Sequence, residues 1–405
     1  MLNKVKYNNY LMEAKPNAVN VYTKRLKSIW KYMFNAYGLH VYKGDVTHGR
    51  KLFMLVLAVV QTIVFIHQLV SICYNFAFST TISQLSFYAA LLVSTFASVS
   101  SMGTFYKRRI AVAQLLNNLT DQLNRKFHDS KKVWVATLVS FIGPFALCIL
   151  EAFCSILEIA LQDNEGMDKF SGVYFFGVKP REKYLIIAKL LICFEYFIVL
   201  LVSVEFINIS VGFFAHLCHM VYFRFNRLNM KLEKLLVNGK QLSSFDLQEY
   251  RKNHQLVCDE TKELSDLWSP LCVFWILGFI LNLCFDLRAL WIKGNSPLFM
   301  IGFSADIARQ LWLMFALFKV ASHINTEAHK LGEKLVTLTV SQPSNDEYTH
   351  GDQMNHHVNY LLLSERLVNT SVGISVSGLF LLNASSFLSM AGTVMTYLIV
   401  LYQSS

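Results

Sequence analysis

The chain has 405 residues, 54% of them apolar, 14% aromatic and only 16% charged, with a mean hydropathy of +0.38. A water-soluble domain carries about 25% charge, so this composition with its recurring long apolar runs excludes a soluble domain and defines an integral membrane protein. The net charge of +10 reads as a cytosolic bias meeting anionic lipid, and it calls for no nucleic-acid partner.

The first 51 residues hold ten Lys/Arg and no long apolar core, so no cleavable leader is expected and residues 1–51 form a cytosolic segment. Seven apolar spans follow, at roughly 52–73, 83–106, 133–161, 184–223, 268–292, 297–322 and 366–403. The fifth and sixth are joined by a tight turn at Gly294-Asn295-Ser296-Pro297. In domain terms this gives spans one to four over 52–223, a cytosolic helical loop over 224–267, and spans five and six over 268–322. A second cytosolic loop covers 323–365 and the last helix 366–405. The eight cysteines (Cys73, Cys148, Cys154, Cys193, Cys218, Cys258, Cys272, Cys284) fall mostly inside apolar runs, where they act as small packing residues and imply no disulfide framework.

Of the 37 Lys/Arg, 29 lie before span one or in or flanking the loops after spans two, four and six. The loop after span one, Tyr74 to Thr81, has no charge, and the one after span three balances Lys169, Lys179, Arg181 and Lys183 against Asp163, Glu165, Asp168 and Glu182. The positive-inside rule therefore sets the N-terminus in the cytosol and the C-terminus outside. That is the reverse of a G-protein-coupled receptor.

Spans four and seven are too long. Forty or so residues make roughly 60 Å of helix, twice the hydrocarbon thickness of about 30 Å. The excess of both falls on the cytosolic side. There Phe213 to Phe225 and Leu367 to Leu382 stay apolar, Leu228, Leu232, Leu235 and Leu236 repeat at helical spacing, and Ser244 opens a further helix. These features predict an all-α membrane protein with a cytosolic anchor bundle built from extensions of helices four to seven.

No enzyme constellation is present, and no cofactor is implied. His216, Cys218 and His219 lack a further ligand at metal spacing, so packing accounts for them. No phosphate-binding glycine loop, H-E-x-x-H or nucleophile elbow occurs. Ionisable residues within the spans say more, because lipid exposure is costly and such groups face a cavity or a partner. The candidates are Glu151, Glu158, Lys189, Glu195, Asp286, Arg288, Asp306 and Arg309, with Tyr196 and Trp291 among the interleaved aromatics. They build either an outward-open pocket for a small polar or amphipathic ligand or a set of internal ion pairs and interface snorkels.

In span seven the polar-small stretch Asn383-Ala384-Ser385-Ser386 interrupts the apolar run. Beyond it, Thr396, Ile399, Val400 and Gln403 recur at spacings of three and four, a stripe with polar ends and an apolar middle. Repeated around an axis, such a stripe lines a pore that closes by dewetting; alone, it is a packed helix whose terminal Gln meets headgroup water.

Seven spans with a cytosolic N-terminus, overlong fourth and seventh helices, and Thr396-Tyr397, five apolar residues and Gln403 resemble the insect gustatory receptors, of the insect chemoreceptor superfamily. The resemblance covers the whole chain in architecture and is specific in sequence only in the last span. It implies a tastant-gated, non-selective cation channel. Such channels are homo- or hetero-tetramers in the plasma membrane of sensory neurons, with seventh helices lining the pore and Gln403 at its outer constriction. It further suggests an aversive, bitter-type receptor. The family usually has Phe after that Gln, and here Ser404 stands in its place, which implies a differently shaped pore mouth or a partner subunit that supplies the aromatic. A G-protein-coupled receptor lacks support from the charge bias and from the absence of Asp-Arg-Tyr or Asn-Pro-x-x-Tyr. A transporter would fit the intramembrane charges, but no inverted repeat is seen.

Overall fold

The computed structural model describes residues 21–37, 39, 48–78, 82–123, 127–163, 167, 174–176, 178, 180–237, 244–290, 296–330, 358, 360–365, 367 and 371–404. The chain order is α1 (Val21–Ala36), α2 (His48–Phe78), α3 (Ile82–Leu123), α4 (Phe127–Leu161), α5 (Leu185–Ile198), a π-helical turn (Val199–Val204), α6 (Glu205–Val237), α7 (Ser244–Leu290) and α8 (Pro297–His329). Strands β1 (Ser375–Val376) and β2 (Phe380–Leu381) then precede α9 (Ala384–Ser404). Segments 131–161, 182–234, 245–290 and 297–329 are each long and apolar enough to cross a membrane by that measure alone.

The helices are inside-out relative to a soluble bundle. In α2, Leu55, Val59, Ile63 and Ile66 are exposed, whereas Gln61, Gln68 and Ser71 are buried. The Gln68 carbonyl oxygen accepts the Thr95 hydroxyl of α3 at 2.7 Å. In α4, Ile142, Phe145, Ile149 and Phe153 face outward while Cys148, Glu151, Cys154 and Glu158 face inward. A lipid solvent explains the inversion: apolar side chains lose nothing by facing it, and polar ones must find partners within the bundle.

Two backbone irregularities are answered by side chains. Pro270 lies inside α7 and has no N–H for the carbonyl of Asp266, one turn back. Arg108 of α3 donates to that carbonyl at 2.5 Å and to Leu267 O at 2.8 Å. The π turn that splits the fourth span presents Leu201 O to the Tyr37 hydroxyl at 2.5 Å and Val202 O to Gln61 Nε2 at 3.2 Å. Ser98 Oγ reaches Val202 O only at 3.5 Å. Gln61→Leu is therefore expected to cost about 1–2 kcal/mol, read as a lower melting temperature of the purified protein. An unchanged value would mean that Ser98 alone satisfies this carbonyl.

On the cytosolic side the bundle continues as expected, and α3 extends beyond the sequence reading. Val112, Leu115, Leu116 and Leu119 are buried at helical spacing past the charges at 107–109. A separate cluster joins Leu232 of α6 and Leu247 and Tyr250 of α7 to Tyr360, Leu363 and Leu367. Asn229, at its edge, donates to the Glu327 carboxylate at 3.0 Å and accepts the Tyr250 hydroxyl at 2.8 Å. Leu235 and Leu236 lie outside the described side chains.

The expectation that the inner half of the last helix runs on to Phe380 before its break at Asn383 is corrected. Val376 pairs with Phe380, and Ser375 with Leu381, as an antiparallel hairpin. Ser377 (φ 50°) and Gly378 (φ 74°) form its left-handed turn, closed by Leu379 N–H to Val376 O at 2.9 Å. Ser265 and Ser269 of α7 accept the N–H groups of Ser375 and Ser377, and Asn325 of α8 donates to Val372 O at 2.8 Å. A helix could not offer these free N–H groups to α7. Asn383 caps α9, its side-chain oxygen accepting Ser386 N–H at 2.8 Å.

Candidate functional site

The polar faces of α4, α5, α7 and α8 meet around a small buried cavity. Helical spacing places the groups: Glu151 and Ser155 on α4, Asn282 and Asp286 on α7, and Phe299, Phe303, Asp306 and Gln310 on α8 are each separated by one turn. Gly302 brings α8 against α4, since a Cβ there would lie 3.6 Å from both Cys154 and Ser155. Asp306 and Arg309 sit nine and twelve residues into α8, about 14–18 Å from its outer end at 1.5 Å per residue. That is near the middle of a core about 30 Å thick.

Arg309 is the hub. Its guanidinium pairs with Asp306 and donates to Asn208 Oδ1 at 3.2 Å, and its Nε lies 3.7 Å from Glu151 Oε2. Asn208 in turn donates to Glu205 at 2.8 Å. Gln310 Nε2 bridges Asp286 (2.8 Å) and Asp306 (2.9 Å). The Tyr196 hydroxyl reaches Ser155 Oγ at 3.0 Å and Glu151 Oε1 at 3.4 Å. Phe299 and Phe303 pack edge to face, 4.3 Å between centroids, on the wall. The enclosed volume is about 40 Å³, with an adjoining space of about 10 Å³ beside Asn282 and Gln310. That holds one or two waters, far below the roughly 300–1,000 Å³ of a drug-sized site.

Of the candidate pocket residues, Glu151, Tyr196, Asp286, Asp306 and Arg309 line this cavity. The others do not. Glu158 accepts from Gln162 and Ser296, and Ser296 is also the N-cap of α8. Lys189 donates to the Ala160 and Gln162 carbonyls at the end of α4, as a snorkelling lysine does. Glu195 pairs with His67 of α2 at 2.8 Å. Arg288 is half-buried outside the cavity wall, and Trp291 lies outside the described residues. Sequence reasoning missed Ser94, Asn282, Phe299, Phe303 and Gln310 on the walls. The available signal was the one-turn spacing of Asn282 to Asp286 and of Asp306 to Gln310.

His216 accepts or donates to Thr137 at 2.9 Å and packs 5.5 Å from Trp30, a packing role. Among the described residues no three His, Cys, Asp or Glu side chains gather as a metal site, and no disulfide joins the described cysteines.

Outside the cavity, α9 leans on α7 and α8 through Phe387, Met390 and Val394. Phe387 packs against Phe318 with tilted rings, 5.5 Å between centroids. Thr396, Ile399, Val400 and Gln403 lie off that face and are exposed, Ile399 by 53% and Val400 by 56%. Tyr397 is half-buried.

Together these features describe a multi-pass membrane protein: a helical bundle around a polar cavity, with a cytosolic anchor and a final helix uncovered on one side. The chain belongs to the 7tm chemosensory receptor family, whose profile it matches over residues 29–405. Its fold is similar to that of the insect olfactory receptor OR5 from Machilis hrabei. In complex with eugenol the TM-score is 0.76 at 14% identity, covering 95% of this chain and 100% of that one. A second OR5 structure gives 0.70 at 15% identity with the same coverage. These likenesses establish the seven-transmembrane fold. Comparison with curated protein sequences finds no match.

Proposed function

We propose that the chain is a gustatory receptor subunit, a tastant-gated non-selective cation channel that works as a homo- or hetero-tetramer in the plasma membrane of a sensory neuron. Its α9 lines the pore through Thr396, Ile399, Val400 and Gln403, and the Arg309 cavity is the ligand pocket, with Glu151, Tyr196, Asp286 and Asp306 as contacts. The observation that carries the pore half is the exposed α9 stripe, directed away from the protein's own packing face. A polar Gln facing lipid would leave its amide unsatisfied, so another subunit or water must meet it. The gustatory half rests on Thr396-Tyr397 and Gln403, and the aversive, bitter-type reading on the same resemblance.

OR5 of Machilis hrabei is described with eugenol bound, which supports a small-molecule ligand here. The cavity is water-sized, so a tastant enters only if Tyr196, Phe299 or Phe303 moves. A ligand that stabilises the moved arrangement shifts the population toward opening in proportion to its preference for that state.

Whole-cell current in cells expressing this chain, screened against mixed tastants with Gln403→Ala in parallel, tests the reading. Ligand-evoked cation current whose reversal potential or block changes in the mutant is expected. Unchanged permeation and block would remove Gln403 from the pore, and loss of the current under G-protein inhibitors would sink the channel reading.

A further inference from the structure

Building on the Arg309 cavity as the ligand pocket, we infer that its ligand class is organic cations: protonated amines carried on an aromatic or apolar body. The first argument is charge. Among the described residues of this network, four carboxyl groups gather with one guanidinium, Arg309: Glu151 and Asp306 directly, Glu205 through Asn208 and Asp286 through Gln310. Protons or a bound cation must make up the balance in a buried site with room for only one or two waters.

The second argument is hydrogen bonding, and it is independent of charge. Asn282 and Gln310 are 5% and 0% exposed, and each has an amide oxygen without a hydrogen-bond partner; both line the adjoining space of about 10 Å³, and Asn282 lines the main cavity as well. Gln310 is fixed in that orientation because its NH2 is held between Asp286 and Asp306. Asn282 donates to Ser94 Oγ at 2.6 Å in the same arrangement. Around Arg309, the unpaired donor Nε and the unpaired acceptor Glu151 Oε2 answer each other at 3.7 Å. What the walls still lack is a donor. A sugar or phenol brings acceptor lone pairs along with each donor, and a carboxylate only acceptors, whereas an ammonium brings three donors and no acceptor.

The third argument is shape. An ammonium group is about the size of the water that a 40 Å³ space admits. The apolar body would lie along Phe299, Phe303 and Tyr196, whose ring faces attract a cation at close range.

The test uses the purified full-length protein in lipid nanodiscs, with melting temperature against concentration as a readout that needs no channel activity. The probes are ethylamine and 2-phenylethylamine, each with its matching alcohol, and phenylacetate. The amines are expected to stabilise the protein at concentrations at least about tenfold below their alcohols, with phenylacetate inert. Asp286→Asn and Glu151→Gln should each cost an amine about tenfold or more and change the alcohols little. If one variant does not fold, the other and the wild-type ranking decide. Equal binding of amine and alcohol, better binding of phenylacetate, or no amine binding up to 10 mM would each overturn the inference. Failure of the channel proposal is separable: amine stabilisation without evoked current leaves the ligand class intact, whereas current evoked equally by the alcohols removes the class and leaves the channel.

Discussion

Arg309→Met is expected to leave little folded protein at the cell surface. The side chain is similar in length and apolar, so the loss is of charge and donors, not of volume. Asp306, Glu151 and Asn208 all point their oxygens at this guanidinium, and no other cation lines the cavity among the described residues. Breaking a buried ion pair by removing one partner costs about 3–5 kcal/mol, because the other charge stays buried and uncompensated. Against a total stability of about 5–15 kcal/mol, that is a large share. The diagnostic is the second mutation: Arg309→Met with Asp306→Asn should recover much of the surface signal, since removing both partners is far less costly than removing one. Surface labelling of an extracellular C-terminal tag and the melting temperature in nanodiscs read both outcomes. A single variant as stable as wild type would mean that the carboxyl groups settle their own charge without Arg309.

The same residue shows how far the sequence reaches. Asp306 and Arg309 were legible as a pair within one helix, because three residues of spacing suffices to see it. Their company was not. Glu151 sits on a helix that begins 170 residues before α8 does, and nothing local tells it from Glu158, one heptad on, which instead holds the N-cap Ser296. Helix register and rotation, set by close approaches such as Gly302 on Cys154, decide which acid enters the cavity. The spans themselves were legible because lipid demands long apolar helices. The hairpin failed for a local reason. Ile374-Ser375-Val376-Ser377-Gly378-Leu379-Phe380 carries a strand alternation around a Ser-Gly turn, but it stands at the end of an apolar run, and length favoured helix. The inner half of α3 was lost to the opposite bias. Lys107, Arg108 and Arg109 mark a membrane boundary, and a boundary is not a helix end.

Trp30→Ala is the other substitution with a large expected cost, and it acts where no membrane is involved. In α1, Leu26, Trp30 and Phe34 are buried at one-turn spacing while Lys24, Arg25 and Lys31 are exposed, so the helix is amphipathic by sequence. Its apolar edge seals the cytosolic end of the bundle. Trp30 meets Phe213 of α6 edge-on at 4.9 Å, Phe34 meets Phe105 of α3 at 5.4 Å, and Phe105 meets Trp268 of α7 at 4.8 Å. Truncating a fully buried Trp to Ala costs about 3–5 kcal/mol through lost transfer energy and an unfilled cavity. Trp30→Phe should cost much less, because the indole N–H has no hydrogen-bond partner to lose. The consequence reaches α9. Trp268 lies one residue from Ser269, which with Ser265 seats the hairpin ahead of the last helix. A loosened α1 therefore frees the part of α7 that holds α9 in place. The expected result is a lower melting temperature for Trp30→Ala together with faster proteolysis of the cytosolic segments, and near wild-type behaviour for Trp30→Phe. Equal losses in both variants would point to a specific role for the indole N–H, and no loss in either would mean that α1 only rests on the bundle.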